Sequence, residues 1–268
     1  MTSPKIYNQN YYENMRGGEQ TDPGEGKDLY DLFLDLMPQG ETRQLMCLDV
    51  GCGRGNLLLK LFQNGYTNCF GFDFSPTAVN VSRNLLAKSL NVDVVDRVIE
   101  GNISNANLYK NNSFDIIFMT DIVEHLPHDV LHDGLRNIGR WLRQDGKVII
   151  HTFPTLGLHR MFLIFLTLTG KWSELNKNSK IHCNVQTCHS LSEVISSSSL
   201  ICEKIWLQND MLLTSSAYKQ MQNGLLKKCV RFFLHDMMKI SSIDRMFNLI
   251  GLAEYANPSL YCICRKPS

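Results

Sequence analysis

The segment Asp49-Val-Gly51-Cys-Gly53-Arg-Gly55-Asn carries the residue types best suited to hold a ligand in this chain of 268 residues. Its glycines permit a tight turn and let a ligand approach the backbone, and a helix that begins there would offer its first amides. The third glycine comes one residue earlier than in the dinucleotide pattern G-x-G-x-x-G. Asp49 also stands two residues before Gly51, and its carboxylate would repel a pyrophosphate. The loop therefore favours a positively charged ligand and disfavours a dinucleotide oxidoreductase.

Two further polar residues extend this interpretation toward a nucleoside. Asp73 lies 22 residues after Gly51, at the end of an apolar run, where a carboxylate can accept hydrogen bonds from ribose hydroxyls. Phe74 beside it offers a flat face for adenine. Asn102 follows the next predicted strand, and its carbonyl can accept a hydrogen bond from a base amino group.

Three histidines are candidate catalytic bases, since imidazole titrates near neutral pH. His125 follows the fourth predicted strand, His151 ends the fifth and His182 comes later, with His159 as a further ring in that region. Each can also be explained as a structural residue. The acids and histidine within 121–125 resemble a metal-binding pattern, and His/Cys pairs occur at 182–183 and 188–189. The gap between these pairs is not a standard zinc spacing, and we predict no metal site.

The elements that must position these residues alternate between strand and helix. Apolar runs predict strands, and apolar residues at helical spacing predict the helices between them. A proline in the first turn and Ser75 as N-cap mark one helix start. The predicted strands are 45–50, 68–74, 94–100, 113–120, 146–153, 201–208 and 260–265. The predicted helices are 28–37, 54–64, 76–90, 128–142, 191–198 and 225–240. This order predicts an α/β fold with a doubly wound, Rossmann-like sheet.

Several segments in this order resemble the class I S-adenosylmethionine-dependent methyltransferases. They are LDVGCGRGNLL, GFDFSPTAV, EGNIS, FDIIFMTDIVEHLP, LRNIGRWLRQDGKVIIHT and YCICRKP. The most similar subgroup comprises small-molecule enzymes, including those of ubiquinone and menaquinone biosynthesis. The family more often has aspartate where this chain has Asn102, and the asparagine carbonyl can take its place.

The resemblance implies S-adenosyl-L-methionine as cofactor and a seven-strand methyltransferase sheet whose last strand is antiparallel, with a helical cap. Asp49 and the glycine loop would face the amino-acid end, Asp73 the ribose, and residues after the fourth strand the sulfonium. The implied cofactor-binding residues are Asp49, Gly51, Cys52, Gly53, Asp73, Phe74, Ser75, Asn102, Ile103, Asp121 and Ile122, with Tyr12 and Arg16 from an N-terminal arm.

We expect one methyltransferase domain over 1–268, with an arm or lid at 1–25, a cofactor-binding core at 40–153, and cap insertions at 154–190 and 209–257. The apolar segment 161–168 is too short to span a bilayer and is predicted to be a buried helix of the cap. Two alternatives are a wall for a hydrophobic substrate and a patch that rests on a membrane surface.

Charge and cysteine content narrow the class of acceptor and the compartment. Lysine and arginine number 27 against 26 acids, a net charge of +1, which does not favour a nucleic-acid partner. An Asn/Asp-Pro-Pro-aromatic signature is also missing after the fourth strand, where TDIVEHLP stands. The nine cysteines are an odd, scattered set, which is typical of a reducing compartment. The first residues lack the apolar core of a signal peptide, so we expect a cytoplasmic protein.

The sequence thus predicts methyl transfer to an oxygen or nitrogen of a small, partly hydrophobic metabolite. An RNA or protein methyltransferase and a non-catalytic cofactor-binding relative stay open as alternatives, and so does the oligomeric state.

Overall fold

The computed structural model describes residues 29–38, 44–90, 94–210, 249 and 252–267. The predictions for Tyr12 and Arg16, the arm at 1–25, the helix at 225–240 and most of the second cap insertion lie outside the described residues. The division into core and caps therefore stays a prediction.

A seven-stranded sheet with the order β3-β2-β1-β4-β5-β7-β6 organises the described chain. The strands are β1 Cys47–Val50, β2 Cys69–Asp73, β3 Val98–Glu100, β4 Phe114–Thr120, β5 Leu142–Thr152, β6 Ile201–Gln208 and β7 Ser259–Arg265. The helices are α1 Leu29–Leu36, α2 Asn56–Gln63, α3 Pro76–Leu90, α4 His128–Trp141, α5 Leu156–Leu168, α6 Trp172–Ile181, α7 Cys188–Ser196 and α8 Ala253–Ala256. A short 3-10 helix spans Val123–His125.

Helices cover both faces of this sheet, so its central strands are buried on both sides. All four residues of β1 are buried. One apolar core lies between the sheet and α4 and α7, and the other between the sheet and α1, α2 and α3. Helix α2, which follows β1, and helix α4, which follows β4, lie on opposite faces of the sheet. Open α/β sheets bind their ligands at such a point, beyond the carboxyl ends of the strands.

Strand β7 is the one reversed strand of the sheet. It lies between β5 and β6 and is antiparallel to both, whereas the pairings among β1 to β5 are parallel. The α/β fold class and the antiparallel last strand are therefore confirmed.

Two strand boundaries differ from the sequence prediction by four residues, and the other differences are of one or two residues. Strand β3 is only Val98–Glu100, because residues 95–97 form a turn. Strand β5 begins at Leu142 rather than at 146, and its pairing with β4 shifts register between Phe114 and Ile116. The polar residues at 143–145 concealed this start because they are exposed.

The prediction of a buried helix at 161–168 is wrong. These residues belong to α5, and Met161, Phe162, Ile164, Phe165 and Leu168 are exposed, whereas Leu166 is buried. The inner face of α5 contacts α6 and α8. No helix within the described ranges is long and apolar enough to cross a membrane.

Candidate active site

The glycine loop leaves β1 and is fastened to the end of β2. The amides of Gly51 and Cys52 donate to the carbonyl of Phe72 at 2.9 and 3.0 Å, and the amide of Gly53 donates to Asp73 Oδ2 at 3.0 Å. The loop then enters α2, whose N-cap is Gly55 with no side-chain cap. The N-terminal end of α2 therefore presents its amides and its positive dipole beside the loop.

Gly51 and Gly55 are required by both backbone angle and space. Their φ angles are +69° and +82°, in the left-handed region that favours glycine. A Cβ on Gly51 would lie 2.6 Å from Ile122 Cγ2, and one on Gly55 would lie 2.2 Å from Ser82 Oγ. Gly51 thus brings the loop after β1 against the loop after β4, and Gly55 lets α2 approach α3.

Asp49 is a buried carboxyl at the centre of the sheet, on the strand that leads into the glycine loop. It is 1% exposed, and its Oδ1 has no hydrogen-bond partner. Burial, followed by repulsion from Asp73, raises the pKa of Asp49 to about 8. An unpartnered buried carboxyl of this kind is costly, and a cationic ligand would remove much of that cost.

Asp73 and its neighbours form the second part of the site. Asp73 is nearly buried, and its Oδ1 accepts a hydrogen bond from the amide of Ser75 at 2.9 Å. The Ser75 hydroxyl accepts from the amide of Ala78 at 3.3 Å and so caps α3. Phe74, between them in sequence, is 36% exposed, which leaves an aromatic face at the rim of the loop.

Asn102 and Ile103 follow β3 and differ in environment. Asn102 is exposed, and its Oδ1 accepts from the amide of Ser104 at 2.9 Å. Ile103 is buried against Gly134 of α4, and its carbonyl accepts from Asn137 Nδ2 at 2.8 Å. The Ile103 side chain therefore belongs to the core, which leaves its amide as the group that a ligand could reach.

Asp121 marks the end of β4 with an unusual backbone. Its φ is +53°, a conformation that costs a non-glycine residue energy and that clusters at functional sites. Its Oδ1 lies 2.8 Å from His151 Nδ1. Ile122, the next residue, is in contact range of the position that a Gly51 side chain would take. The loop after β4 and the glycine loop are thus joined.

His151 lies at the centre of a buried polar network. Its side chain is fully buried on β5, and its Nε2 lies 3.7 Å from Asp210 Oδ2. Burial alone would lower the pKa of His151, but Asp121 and Asp210 overcome this effect and raise it to about 10. The ring is therefore an imidazolium at neutral pH, held between two carboxylates.

Sequence reasoning missed the far side of this network. Asp210, two residues after β6, accepts hydrogen bonds from the hydroxyls of Ser259 and Tyr261 on β7. Tyr261 also packs against the His151 ring, with centroids 4.6 Å apart. These residues are distant in sequence, so no local pattern predicts their contact. The only sequence signal was that Asp210 is an acid soon after an apolar predicted strand.

His125 lies in the 3-10 helix after β4, with an acid beside it. Its Nδ1 is 2.9 Å from the carbonyl oxygen of Ile181. Since a carbonyl can only accept, Nδ1 carries the proton and the neutral ring keeps its lone pair on Nε2. That Nε2 lies 3.7 Å from Glu124 Oε1. The buried Glu124 is itself fixed by the Thr152 hydroxyl, which donates to its Oε2 at 2.8 Å.

The structure brings His182 and His159 to His125 but leaves His151 apart. The rings of His125 and His182 stack with centroids 5.0 Å apart, and His159 meets His182 edge-on at 5.6 Å. His159 is on the inner face of α5, where burial lowers its pKa. This histidine cluster, His125, His159 and His182, joins the loop after β4 to the first cap insertion. Within the described ranges, no group of His, Cys, Asp and Glu is arranged to hold a metal ion.

Comparison with known proteins agrees with this geometry. Residues 48–150, the segment from β1 to β5, match a family model described as a methyltransferase domain. The match identifies this segment, which is less than half of the chain, as similar to a methyltransferase domain. The match supports the predicted enzyme class and the cofactor that this class uses.

Similar proteins include a tRNA-modifying enzyme and proteins whose solved structures share this fold. A tRNA U34 carboxymethyltransferase from Aliarcobacter butzleri (strain RM4018) is 27% identical over 142 residues, 52% of this chain and 43% of that protein. The chain thus spans less than half the length of this curated relative. The crystal structure of the PH0226 protein from Pyrococcus horikoshii OT3 has 13% identity, covers 99% of both chains and has a TM-score of 0.59.

A second similar structure is a geranyl diphosphate C-methyltransferase from Streptomyces coelicolor A3(2), described as a complex with Mg²⁺, geranyl diphosphate and S-adenosyl-L-homocysteine. It has 12% identity, covers 89% of this chain and 79% of that one, and has a TM-score of 0.57. Likeness at this level of identity establishes the class I methyltransferase fold.

Proposed function

We propose that this protein transfers the methyl group of S-adenosyl-L-methionine to an oxygen or nitrogen of a small, partly hydrophobic molecule. The observation that carries the cofactor assignment is Asp49, a buried carboxyl with an unpartnered oxygen beside the glycine loop. A ligand with a positive charge at this point removes the cost of the buried carboxylate. The acidic side chain of Asp73, fixed by the loop and by Ser75, is the acceptor for ribose hydroxyls.

The methyl group is already activated by the positive sulfur of the cofactor. What the chain must add is alignment, exclusion of water and a place for the proton of the acceptor. The join between Gly51 and Ile122 fixes the two loops that would flank the sulfonium. Cys52, buried within the same loop, uses its amide to hold the loop to Phe72, and its side chain packs against Gly71 of β2.

His125 is the group we assign to accept the acceptor's proton. Its Nε2 carries the lone pair, and its side chain is 13% exposed, so the nitrogen is not sealed into the core. As the proton arrives, Glu124 stabilises the imidazolium that forms. His182 supports the ring by stacking. His151, enclosed between two carboxylates, is assigned a positioning role for Asp121.

The preference for a small acceptor rests on charge and on the histidine cluster. The net charge of +1 is unlike that of proteins that hold polyanions. The cluster joins the loop after β4 to α5, and Leu166 is buried on the same face of α5 as His159. The geranyl diphosphate enzyme shows that this fold accommodates an isoprenoid acceptor.

The cofactor assignment is tested by binding. S-adenosyl-L-methionine should raise the melting temperature, and NAD should not. Asp73→Asn removes one charge-assisted hydrogen bond, worth about 1.5–3 kcal/mol, so the dissociation constant measured by calorimetry should rise about 10- to 100-fold. The exposed Asp133→Asn on α4 is the matched control. Wild-type affinity in Asp73→Asn would refute the ribose assignment.

The base assignment is tested by the pH profile of the methyl-transfer rate. His125→Ala should lower kcat by about 100-fold or more and abolish the acid limb of the profile for a hydroxyl acceptor. His189→Ala, which changes a largely exposed histidine on α7, should keep the wild-type kcat and the acid limb of the profile. An unchanged profile in His125→Ala would exclude it as the base.

A tRNA acceptor is the second candidate, and the 27% identity to the tRNA enzyme favours it. Radiolabelled methyl transfer should be assayed in parallel with phenols, amines, quinone precursors and total tRNA. Label in a small molecule supports the proposal, whereas label in tRNA alone overturns it. Cofactor binding with no transfer to any acceptor would indicate a non-catalytic relative.

A further inference from the structure

Helix α5 reverses the usual arrangement of a surface helix. Such helices turn apolar residues to the core and charged residues to water. Here Met161, Ile164, Phe165 and Leu168 recur at helical spacing and are all exposed, Leu168 by 81%. We call these four residues the α5 stripe. His159 and Leu166 occupy the opposite, buried face.

The apolar surface continues beyond the α5 stripe at both sides. Phe162, next to the stripe, is 41% exposed. After the turn at Gly170, α6 begins with Trp172, which is 59% exposed. Large apolar residues scattered singly over a surface need no explanation, but a contiguous set of six marks an interaction site.

Basic residues accompany this apolar surface in α5, in the turn after it and in α6. Residues 156–181 contain Arg160, Lys171, Lys177 and Lys180 against the single acid Glu174. All four basic side chains are exposed. Lys171 lies 3.7 Å from Glu174, which leaves the segment with a clear excess of positive charge, although the chain as a whole is nearly neutral.

A helix with exposed Phe, Leu and Trp and flanking Lys and Arg has the composition of elements that lie in the plane of a bilayer, with apolar side chains among the acyl chains and cations at the headgroups. We propose that the α5–α6 hairpin docks this protein on a membrane surface that contains anionic lipids. The excess of basic over acidic residues in this segment carries the choice of occupant, because basic side chains beside an apolar face are attracted to the anionic headgroups of a bilayer.

This docking surface would place the histidine cluster next to the lipid. His159 projects from the inner face of the same helix and contacts His182. A hydrophobic acceptor dissolved in the bilayer would then have a short route to the site. The docking itself does not depend on which acceptor is methylated, so its test is separate from the tests of catalysis.

Trp172 provides a reporter within the proposed surface. Of the three tryptophans, Trp141 is fully buried and Trp206 stacks on Tyr261. Vesicles that contain phosphatidylglycerol should shift the emission to shorter wavelength, and brominated lipid should quench it. In Trp172→Phe the spectral change should disappear while co-sedimentation with the same vesicles persists. An unchanged wild-type spectrum at high vesicle concentration would overturn the proposal.

Paired variants separate the apolar and the charged contributions. Phe165→Ser with Leu168→Ser should weaken vesicle binding about tenfold or more, whereas Val95→Ser, an exposed apolar residue elsewhere, should not. Lys177→Gln with Lys180→Gln should lower affinity by about fivefold per lysine, and Lys110→Gln is the control. Circular dichroism establishes that each variant is folded.

Three outcomes contradict the proposal. The first is equal vesicle binding by the wild type and the Phe165→Ser/Leu168→Ser variant. The second is equal binding of the wild type to neutral and anionic vesicles. The third is a concentration-dependent dimer that this double variant abolishes, with no vesicle binding by the wild type, which would assign the surface to a second copy of the chain.

Discussion

Asp49 and His151 are both buried and titratable, and the structure gives them opposite electrostatic settings. The Asp49 carboxyl has an unpartnered oxygen and an acidic neighbour, so its pKa rises. His151 has a carboxylate beside each ring nitrogen. Its pKa also rises, because the two carboxylates stabilise the positive charge of the ring. The first residue destabilises the protein without its ligand, whereas the second stabilises it.

The Asp49 setting predicts how the stability of the ligand-free protein changes with pH. Its pKa rises from 3.8 in the unfolded chain to about 8 in the folded one, so the folded state holds a proton that the unfolded state has lost. Stability should therefore fall as pH rises from about 4 to about 8. Asp49→Asn should remove this slope and melt at a higher temperature than the wild type at pH 8.

Thermal melts of Asp49→Asn and the wild type at pH 5 and pH 8 would measure this difference. Asp145→Asn, at an exposed position, is the control. An Asp49→Asn variant whose advantage is the same at both pH values would contradict the shifted pKa.

The raised pKa of His151 predicts a second change of stability with pH, over a different pH range. With a pKa raised from 6.5 to about 10, it contributes stability that is complete below about pH 6.5 and is lost as pH rises toward 10. His151→Phe keeps a ring but leaves Asp121, Asp210 and Tyr261 without the cation. Breaking a buried pair in this way costs about 3–5 kcal/mol.

Urea unfolding at pH 7 and pH 10 would measure the loss in His151→Phe, which should shrink at the higher pH. The half-exposed His132 on α4 lies beside Asp133, and His132→Phe serves as the control. A loss of the same size at both pH values would show that His151 acts through packing alone.

At the level of elements, the central contact is the one between the loops after β1 and β4. Gly51 needs φ +69°, and its missing side chain leaves the room that Ile122 fills. Gly51→Ala should cost about 1–2 kcal/mol for the backbone angle and more for the collision. It should also weaken cofactor binding, because the loop must move away from Ile122.

A double-mutant cycle isolates the collision. Ile122→Ala in the Gly51→Ala background should recover the part of the lost stability that is due to contact, and leave the part due to the backbone angle. Urea unfolding of the wild type, the two single variants and the double variant gives the free-energy cost of the collision and that of the backbone angle. Strict additivity of the two single changes would mean that the loops do not meet.

The elements that sequence predicted well are those whose burial follows a local pattern. Helix α3 and strand β6 have the predicted bounds, because a proline start and an apolar alternation mark them. The positions of the glycine loop after β1 and of Asp73 at the end of β2 follow from the same kind of local pattern. Asp210 and Tyr261 were not found, since their contact joins segments 51 residues apart.

For helix α5 a local pattern was present but led to a wrong prediction of burial. Its apolar content correctly predicted a helix and wrongly predicted burial, because composition does not tell which face of an apolar helix meets the core. The contacts of His159 and Leu166 decide that face, and they depend on α6 and α8, whose positions no local pattern determines.

For the molecule as a whole, the continuous sheet predicts one cooperative unfolding transition. Strand β7 joins β5 to β6, so the residues after the core extend the same sheet. Calorimetry should show a single peak. S-adenosyl-L-methionine at 100 times its dissociation constant should add about 2.7 kcal/mol, and for a chain of this size that raises the melting temperature by roughly 5–10 °C.

Two resolved peaks, of which the cofactor moves only one, would contradict this. They would indicate that the cap insertions unfold apart from the cofactor-binding core.

The packing of α1 has a consequence for where the chain can be shortened. Phe33 of α1 is fully buried and touches the rings of Phe118, His151 and Tyr261, with centroids 5.6 to 6.4 Å apart. A chain that begins at residue 29 keeps Phe33 and its ring contacts. A chain that begins after residue 38 loses them, and the carboxylates around His151 would then be exposed to water. The smallest autonomous folding unit is therefore expected to include α1, which lies ahead of the segment that carries the methyltransferase motifs.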